Sequence, residues 1–392
     1  MLAYLFERFP KFSQTFCYRE IAELFRQGVR PAIFSLRAPD LGPELSWDPA
    51  IVSGVHRLPE GDAFARLADE ASASLPRVAR KTLHEWRGKD DSLRLHQATY
   101  IGVRLQKLGV HHLHVHFAGM AARTAFWIKR FFEIEYSLTA HANDIFVPND
   151  FEIGLSQIFS KASAIVAVSD FAANQLRNRF SDAASRVHRI YNGIDCDKFQ
   201  PAEPSTPPMI LSIGRLINKK GFDVLIDACA SLRNSGREFR CEIIGDGPLS
   251  AELQARIDRH GLGKRVLLAG PRPQAEIAVR LSKGTLLVLP CRVDADGAMD
   301  NLPTVVMEAM ASALPVVSTD VGGVAEMVRD GETGLLVSQN DPNATAEALS
   351  RLLANRELAQ SLGRKGRERA RELFSIQKNV HALRKIICSG AL

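Results

Sequence analysis

The stretch that decides the fold of this chain reads Asp300-Asn301-Leu302-Pro303-Thr304-Val305-Val306-Met307-Glu308. An apolar, strand-like run, residues 285–290, precedes it, and a second such run, residues 314–318, follows it. Apolar residues recur at three- and four-residue spacing from Val305 to Ala313, which predicts a helix between the two strands. The fixed φ of Pro303 suits the first position of that helix. The segment therefore predicts a strand–helix–strand unit of an α/β fold.

The two carboxylates of this stretch occupy different places in the predicted unit. Asp300 lies on the loop that leaves the first strand, and Glu308 lies about one and a half turns inside the helix. Open parallel sheets bind ligands at the carboxyl ends of their strands. An ionised carboxylate accepts hydrogen bonds from two hydroxyls at once, which suits the vicinal diol of a sugar. The alternative is a pair of ordinary acids, favoured near a helix start by the helix dipole.

The segment resembles the acid–seven residues–acid motif of family 4 of the retaining glycosyltransferases. The likeness continues through Glu308-Ala309-Met310-Ala311 and Pro315-Val316-Val317-Ser318-Thr319-Asp320-Val321-Gly322-Gly323. It implies that Asp300 faces the hydroxyls of a donor sugar, together with the backbone of Asn301, Leu302 and Pro303, and that Glu308 holds the ribose of a nucleotide. It also implies the GT-B architecture, in which two doubly wound Rossmann-like domains face each other across a cleft.

Two residues depart from the family pattern. The usual Glu-Gly pair is Asp300-Asn301 here, so the acid is one methylene shorter and could exclude some donor sugars. Asn is among the few residues that tolerate positive φ, so we expect Asn301 to preserve the shape of the loop. The Gly expected at the end of the helix is Ala313, which costs about 1 kcal/mol if that position is a left-handed cap.

The length of the chain and a proline-rich segment near its middle predict two domains. At 392 residues the chain exceeds what one hydrophobic core usually supports, and residues 199–208 hold four prolines, which mark a linker. We expect an N-terminal, acceptor-side domain over residues 1–200 and a nucleotide-sugar domain over residues 201–370. A helix within residues 371–392 would cross back to the first domain in the family. Asn192-Gly193-Ile194-Asp195 matches the family's N-G-x-D segment, which we interpret as a hinge.

Alternating strand and helix patterns run through both halves. A helix after the first strand should end at Gly28 as a left-handed cap. Strands are predicted at residues 2–6, 31–36, 112–117, 137–140 and 164–169 in the first half, and at residues 209–213, 241–244, 265–269, 286–290 and 316–318 in the second.

Composition excludes several classes of protein. Apolar content of 46%, charged content of 24% and a formal charge of +6 are those of an ordinary globular protein. No basic arm points to nucleic acid. The six cysteines lack metal-ligand spacing and indicate free thiols in a reducing compartment. Charged residues interrupt the apolar start, and no run of about 18 apolar residues could span a bilayer. The protein is predicted to be cytoplasmic.

The second half carries the basic residues of a predicted diphosphate site. Gly214-Arg215 at a strand end and Lys220-Gly221 shortly after it match the family's G-R…K-G motif. A glycine that admits a close ligand, with two cations beside it, suits a diphosphate. The resemblance implies that Arg215 and Lys220 neutralise the leaving group and that no metal is needed. Gly245 and Gly247 resemble the family's G-x-G-P turn, which approaches the nucleotide; a simple tight loop is the alternative.

Histidines are the informative residues of the first half. His141 matches a strand-end histidine that lies near the donor sugar and the acceptor in the family; a capping or core histidine is the alternative. His116 is expected to line the same site. His112, His114 and His116 share a strand face, but we expect no carboxylate or Cys to accompany them, so we predict no metal site there.

Two further segments bear on the subgroup and the acceptor. Ser13 lies in a loop where the family usually has glycines that approach the phosphates. Its surroundings resemble the F-P-K-x-S-x-T-F motif of an exopolysaccharide and colanic-acid subgroup. The stretch from Arg77 to Lys107 is basic with interleaved apolar residues. It is interpreted either as a solvated helix over the sheet or as a helix that lies on an anionic membrane surface.

The resemblance implies a retaining, metal-independent glycosyltransferase of exopolysaccharide or other cell-surface polysaccharide biosynthesis. It would need no cofactor, would use a UDP- or GDP-linked sugar as donor, and would extend a glycan or lipid-linked acceptor, as a cytoplasmic protein that could also bind the inner face of the membrane. Two alternatives remain: a non-catalytic scaffold of an assembly complex, motivated by the departures above, and a dinucleotide oxidoreductase. The oxidoreductase lacks the full G-x-G-x-x-G fingerprint and the acid that follows it.

Overall fold

The computed structural model describes residues 1–44, 46–147 and 151–388, which contain two parallel β-sheets. The strands of the first sheet are β1 (Leu2–Arg8), β2 (Ala32–Arg37), β3 (Val55–Arg57), β4 (His112–His116), β5 (Glu135–Ala140), β6 (Ala164–Ala167) and β7 (Val187–Arg189). The strands of the second sheet are β8 (Met209–Ile213), β9 (Arg240–Ile244), β10 (Val266–Gly270), β11 (Leu286–Leu289), β12 (Val316–Thr319) and β13 (Gly334–Val337).

Both sheets are doubly wound. The first has the order β3-β2-β1-β4-β5-β6-β7 and the second the order β10-β9-β8-β11-β12-β13, with all pairs parallel. The strand order therefore reverses between β1 and β4 and between β8 and β11, the switch points at which such sheets bind ligands. The predicted fold class, with two Rossmann-like sheets, is confirmed.

Helices connect the strands and cover the sheets. Those of the first half are α1 (Thr15–Arg26), α2 (Pro49–Ser53), α3 (Gly61–Ala73), α4 (Arg77–Glu85), α5 (Ser92–Lys107), α6 (Met120–Phe132), α7 (Ala142–Phe146), α8 (Leu155–Lys161) and α9 (Asp170–Arg179). Those of the second half are α10 (Phe222–Asn234), α11 (Ser250–Arg259), α12 (Gln274–Lys283), α13 (Thr304–Ala311), α14 (Val324–Met327), α15 (Pro342–Ala354), α16 (Arg356–Leu373) and α17 (Ile376–Cys388). Within the described part of the chain, no helix has the length and apolar character needed to cross a membrane.

The described residues fall into two compact units. The first holds those within residues 1–42 and 47–190 and those from Val380 onward; the second holds those within residues 43–46 and 191–379. Helix α17 therefore begins in the second unit and ends in the first. The chain leaves the first unit ahead of the predicted linker because the following residues bond to the second: Ile194 N–H donates to the Phe374 carbonyl at 2.8 Å.

The segment interpreted as a hinge is tightly packed within the second unit. A Cβ on Gly193 would lie 2.5 Å from the Cα of Ile376, so only glycine fits there. The φ of Gly193 is not positive. The glycine is therefore required by the close approach of two chain segments and not by a special backbone conformation. Whether the segment also works as a hinge stays a prediction.

Glycine and alanine end two helices in the way the sequence predicted. Gly28, with φ of 77°, follows α1 in the left-handed conformation. Ala313, with φ of 57°, does the same after α13. Asn301 is not at positive φ, so tolerance of that conformation is not what suits it to the loop, and whether it preserves the loop's shape stays a prediction. The expectation for Pro303 was wrong, because it precedes the helix as its N-cap residue instead of occupying its first position.

Replacing Ala313 by glycine should raise the free energy of unfolding of the second unit by about 1 kcal/mol, because glycine adopts positive φ without the clash that a Cβ meets. Urea denaturation followed by circular dichroism would measure the change. The control is Ala309→Gly, in the middle of α13, which should lower stability by about 1 kcal/mol or more. An Ala313→Gly variant no more stable than the parent would contradict the assigned cost.

Candidate functional site

The loop after β8 carries the predicted diphosphate-binding residues and lies against the end of β11. The chain runs through Gly214 and Arg215 into a single 3-10 turn, residues 218–220, before α10 begins. Gly221 closes this turn at φ of 66°, and a Cβ there would lie 2.0 Å from the Pro290 carbonyl oxygen. Only glycine allows the turn to pack this closely against β11, and this contact brings the lysines before Gly221 to the loop that follows β11.

Two lysines pair with one carboxylate in this place. The Lys220 ammonium bonds to Asp300 Oδ2, and Lys219 Nζ lies 3.4 Å from Oδ1. Lys219 also donates to the Met299 carbonyl at 3.2 Å and is 6% exposed. Buried charges persist in proteins when they are paired in this way. The lysine pair forms part of the sheet's carboxyl edge, at the β8–β11 switch point.

The charges in this cluster are stabilised by one another. Burial raises the pKa of Asp300, but Lys220 and Lys219 lower it by more, so the pKa lies below its usual value. Burial lowers the pKa of Lys220, and Asp300 raises it by more, so the net shift is upward. The Lys220–Asp300 pair is therefore ionised on both sides at neutral pH, and with Lys219 the cluster contains two basic groups against one acidic group, a formal excess of one positive charge.

Arg215 stands beside this cluster with an exposed side chain. It is near enough to Lys220 to act against the rise in the pKa of that lysine. The structure thus brings together Arg215, Lys220 and Asp300, three of the four residues predicted to be catalytic, the fourth being His141 of the first unit. It also pairs Lys220, predicted for the diphosphate, with Asp300, predicted for the sugar.

The backbone at Asp300 and Asn301 is held by a glycine turn after β12. The Asn301 carbonyl accepts from the Gly323 N–H at 2.7 Å, and a Cβ on Gly322 (φ of 62°) would lie 2.3 Å from the Asp300 carbonyl oxygen. Asn301 is buried at 3% exposure. The Gly-Gly pair therefore supports the acidic loop directly. The sequence signal for it was present, since both glycines belong to the family motif.

The glycines predicted to approach the nucleotide have an internal reason to be small. A Cβ on Gly245 (φ of 147°) would lie 1.9 Å from the Gly214 carbonyl oxygen, and one on Gly247 would lie 2.6 Å from that of Leu216. The loops after β8 and β9 are also joined by the bond from the Leu216 N–H to the Asp246 carbonyl at 2.9 Å. The glycines thus pack one loop on the other, and contact with a nucleotide stays a prediction.

The remaining predicted residues of the second unit lie on or just before α13. Glu308 is 5% exposed, and Leu302 is 7% exposed. The Glu308 carbonyl accepts from the Ser312 hydroxyl at 3.0 Å, a bond close to the end of the helix. Pro303 separates the acidic loop from the first helical turn. Because the Glu308 side chain is so little exposed, a ligand would have to insert between the surrounding loops to contact its carboxylate.

In the first unit, the three predicted residues follow neighbouring strands. Ser13 is exposed in a 3-10 turn after β1, His116 ends β4, and His141 follows β5. His116 Nδ1 and His141 Nε2 are 3.2 Å apart. Burial, and next the charge of His116, lower the pKa of His141 well below its ordinary value, so His141 is neutral at physiological pH.

The other histidines of β4 are satisfied inside the sheet. His112 Nε2 and His114 Nδ1 both bond the Ser137 hydroxyl, at 2.7 and 2.8 Å, and His114 Nε2 bonds the Thr139 hydroxyl at 3.0 Å. Burial lowers the pKa of His112 to about 4 and that of His114 well below its ordinary value. Both rings are neutral parts of the core, and the predicted common face is confirmed.

A carboxylate and a thiol do accompany this row, contrary to what we inferred from the sequence. Glu20 Oε1, from α1, lies 3.1 Å from His116 Nε2, and Cys17 lies against the same ring. Ligating atoms of Glu20, His114 and His116 lie within 4.8 Å of one another. The ring nitrogens of both histidines already have hydrogen-bond partners at 2.8–3.2 Å. A metal bound at about 2.0 Å would have to displace those partners, so we assign the cluster to hydrogen bonding.

Comparisons with known proteins show the family of the chain. Residues 13–198 match the family described as Glycosyltransferase Family 4, and residues 194–369 match Glycosyl transferases group 1. A putative colanic acid biosynthesis glycosyltransferase, WcaL of Escherichia coli (strain K12), is 30% identical over 88% of both chains. The chain belongs to glycosyltransferase family 4. Predicted family and subgroup are thereby confirmed, and neither the scaffold nor the oxidoreductase is favoured.

Two further relatives of this family 4 glycosyltransferase bear on its subgroup and fold. The amylovoran biosynthesis glycosyltransferase AmsK of Erwinia amylovora is 38% identical over 43% of this chain and 42% of its own. Anabaena HepE, solved in complex with UDP-glucose, superposes with a TM-score of 0.74 over 99% of this chain and 100% of its own, at 17% identity. The first supports the exopolysaccharide subgroup, and the second shows the GT-B fold.

The basic stretch of the glycosyltransferase is divided between surface and core. Arg77, Arg80 and Lys81 are exposed on α4, where Val78 is 78% exposed. By contrast, Arg94 on α5 is buried at 7% exposure, and Lys107 ends that helix as an exposed residue. The exposed cations therefore lie on α4, in the connection after it (Arg87 and Lys89) and at the end of α5, while Arg94 belongs to the core.

Proposed function

We propose that this glycosyltransferase moves a sugar from a nucleotide-diphosphate donor to a growing exopolysaccharide or its lipid-linked precursor, with retention of configuration and without a metal. The observation that carries the proposal is the pairing of two lysines with Asp300 at the carboxyl edge of the second sheet, beside exposed Arg215. The names of the colanic acid and amylovoran relatives support the acceptor class. The UDP-glucose complex of HepE supports a nucleotide-sugar donor.

The excess positive charge of the cluster suits a leaving diphosphate. Arg215 is exposed, and Lys220 shares one carboxylate with Lys219, so a diphosphate can take up Lys220 while Lys219 stays with Asp300. This exchange keeps every buried charge paired. The ammonium and guanidinium groups then supply the charge that a divalent metal supplies elsewhere, and they act most strongly as negative charge develops on the leaving oxygen.

Asp300 and Glu308 are proposed to orient the donor. Asp300 is held ionised by its lysines and accepts from sugar hydroxyls, and Glu308 accepts from the two ribose hydroxyls. The acceptor hydroxyl then attacks from the face of the leaving group, and the departing phosphate takes its proton. The protein contributes position and charge stabilisation, with no covalent intermediate on the enzyme.

The proposal extends to the place of the acceptor. Arg77, Arg80 and Lys81 form an exposed basic group on α4, with exposed Val78 among them. Such a surface is attracted to anionic lipid headgroups, where a lipid-linked acceptor would be presented. Lys81 also pairs with Glu85 at 3.6 Å, which reduces its free charge.

Donor consumption tests the proposal. The full chain is incubated with UDP- and GDP-linked sugars, with and without EDTA, and release of nucleoside diphosphate is measured; NMR of the product with a glycan acceptor reports the anomer. We expect one base to be preferred, activity to survive the chelator, and Asp300→Asn to abolish most of it. If no donor released its nucleoside diphosphate, the transferase activity would be contradicted. Loss of activity in EDTA would contradict independence from metal, and a product with the inverted anomer would contradict retention of configuration.

Replacing Glu308 by alanine should weaken binding of the preferred nucleoside diphosphate about 10- to 150-fold, because one charged hydrogen-bonding group contributes about 1.5–3 kcal/mol. Isothermal titration calorimetry measures the affinity. Exposed Glu347→Ala on α15 is the matched control and should bind as the parent does. Equal affinity in Glu308→Ala, with an unchanged melting curve, would remove Glu308 from the ribose site.

A further inference from the structure

A row of hydrogen bonds leads from Glu20 through His116 to His141 within the first unit. The Glu20 carboxylate oxygen Oε1 accepts from the Tyr4 hydroxyl at 2.8 Å and contacts His116 Nε2 at 3.1 Å. His116 Nδ1 faces His141 Nε2 at 3.2 Å, and the two ring planes are inclined by 19°. His116 is 1% exposed, and Tyr4 is fully buried. The row therefore joins helix α1 to the strand-end histidine inside the protein.

The chemistry of these groups decides which atoms carry protons. Burial lowers the pKa of His116, but the neighbouring Cys17 and Glu20 raise it by more, so the net shift is upward. Burial raises the pKa of the Cys17 thiol, and Glu20 Oε1, 3.1 Å from Nε2, is the carboxylate oxygen that pairs with the protonated His116 ring. A doubly protonated ring donates from both nitrogens. His116 then donates to Glu20 from Nε2 and to His141 from Nδ1.

We propose that Glu20 and His116 are positioning residues that hold His141 as its neutral Nδ1–H tautomer. Because His141 Nε2 accepts the proton of His116, its Nδ1–H is the only donor that the ring has left. His141 would then act on the substrate as a hydrogen-bond donor and not as a base. This inference rests on the proposed function and on the predicted place of His141 near the donor sugar and the acceptor, where a neutral imidazole can donate to a sugar hydroxyl or to the charge that develops on the leaving phosphate.

The same geometry predicts how the tautomer changes when the charge is removed. In Glu20→Gln the amide oxygen can keep both donors, Tyr4 and His116 Nε2, whereas an amide nitrogen there would leave the Tyr4 proton without its acceptor. His116 becomes neutral with its proton on Nε2, so its Nδ1 becomes an acceptor. His141 must then donate from Nε2, and its Nδ1 loses the proton that it would otherwise offer to a substrate.

Nitrogen NMR of the full chain labelled with 15N-histidine tests the proposal. Long-range proton–nitrogen spectra at pH 7.5 identify which ring nitrogens are protonated, with His116→Gln and His141→Gln used to assign the signals. We expect two protonated nitrogens on His116 and an unprotonated Nε2 on His141 in the parent. In Glu20→Gln the unprotonated nitrogen of His141 should become Nδ1. The matched control is Glu23→Gln, which removes another buried carboxylate of α1 and should leave both spectra unchanged.

Kinetics supply the second readout. Glu20→Gln should lower kcat about 100-fold, the lower end for loss of one donor to the transition state, with KM for the donor and the melting temperature unchanged. Combining it with His141→Ala should add no further loss, since both remove the same donor. A protonated His141 Nε2 in the parent overturns the proposal. A Glu20→Gln variant in which either the His141 tautomer or kcat is the same as in the parent also overturns it. If the parent protein itself transfers no sugar, the proposed function is refuted instead, and the NMR comparison still identifies the His141 tautomer.

Discussion

Replacing Lys220 by alanine should lower kcat about 10²- to 10³-fold, the effect of removing one donor aimed at transition-state charge. The affinity for the nucleotide sugar should fall much less, because Arg215 remains and because the negative charge on the leaving oxygen is greatest during bond breaking. Asp300 keeps Lys219 at 3.4 Å, so the variant retains a paired carboxylate. Initial rates over a range of donor concentrations separate kcat from KM.

The control for Lys220 is Lys264→Ala, which removes an exposed lysine of the same unit and should leave kcat and KM unchanged. The melting temperature of Lys220→Ala should be compared with that of the parent, so that a loss of fold is not read as a loss of chemistry. A folded Lys220→Ala variant with normal kcat and a raised KM would mean that the lysine binds the ground state and the transition state equally.

The second large effect is expected at Gly245. A Cβ there would lie 1.9 Å from the Gly214 carbonyl oxygen, and its φ of 147° is rare for other residues. Gly245→Ala must therefore separate the two loops at the diphosphate site. We expect the free energy of unfolding to fall by roughly 2–5 kcal/mol, from backbone strain together with overpacking. Nucleotide binding should weaken as well, because the loop after β9 supports the loop that carries Arg215 and Lys220.

Gly236→Ala separates the steric effect from the effect of backbone conformation. Gly236 has φ of 73°, but apart from its chain neighbours no atom of the described residues lies within 4 Å of the position that a Cβ would occupy. Its replacement should therefore cost about 1–2 kcal/mol and leave nucleotide binding intact. Urea denaturation and calorimetry with the preferred nucleoside diphosphate compare the two variants. Equal losses of stability in both would show that the approach of Gly245 to Gly214 is not what constrains the loop.

The sequence predicted the interior strands of both sheets and one edge strand, β10, but missed the other three edge strands. Strand β8 was predicted with its observed ends, whereas β3, β7 and β13 were not predicted. Those three strands are edge strands of three or four residues. Runs that short carry too little apolar pattern to stand out from loops, while central strands of parallel sheets read as continuous apolar runs.

For the candidate site, motifs identified the loops but not the pairing of side chains. Lys220 and Asp300 were both predicted, yet their ion pair, and the part that Lys219 takes in it, depend on how two loops 80 residues apart meet. The contact between Glu20 and His116 spans 96 residues, so no local pattern reveals it. For that reason the expectation that no carboxylate accompanies the histidines was wrong. Asn301 was misjudged because the family's glycine was taken to require positive φ.

The path of the chain through its two units restricts how chimeras could be made in which one unit comes from this protein and the other from a relative. Because α17 starts in one unit and finishes in the other, no single crossover point yields a chimera with two intact units. A fusion made at residues 190–191 would pair the first unit with a foreign terminal helix. Cys388, the last residue of α17, is close enough to Tyr4 to contribute to its raised pKa, and the Tyr4 hydroxyl donates to Glu20. Grafting a new donor specificity onto this scaffold therefore needs two junctions, one near residue 190 and one near residue 380, so that the native end of α17 is kept.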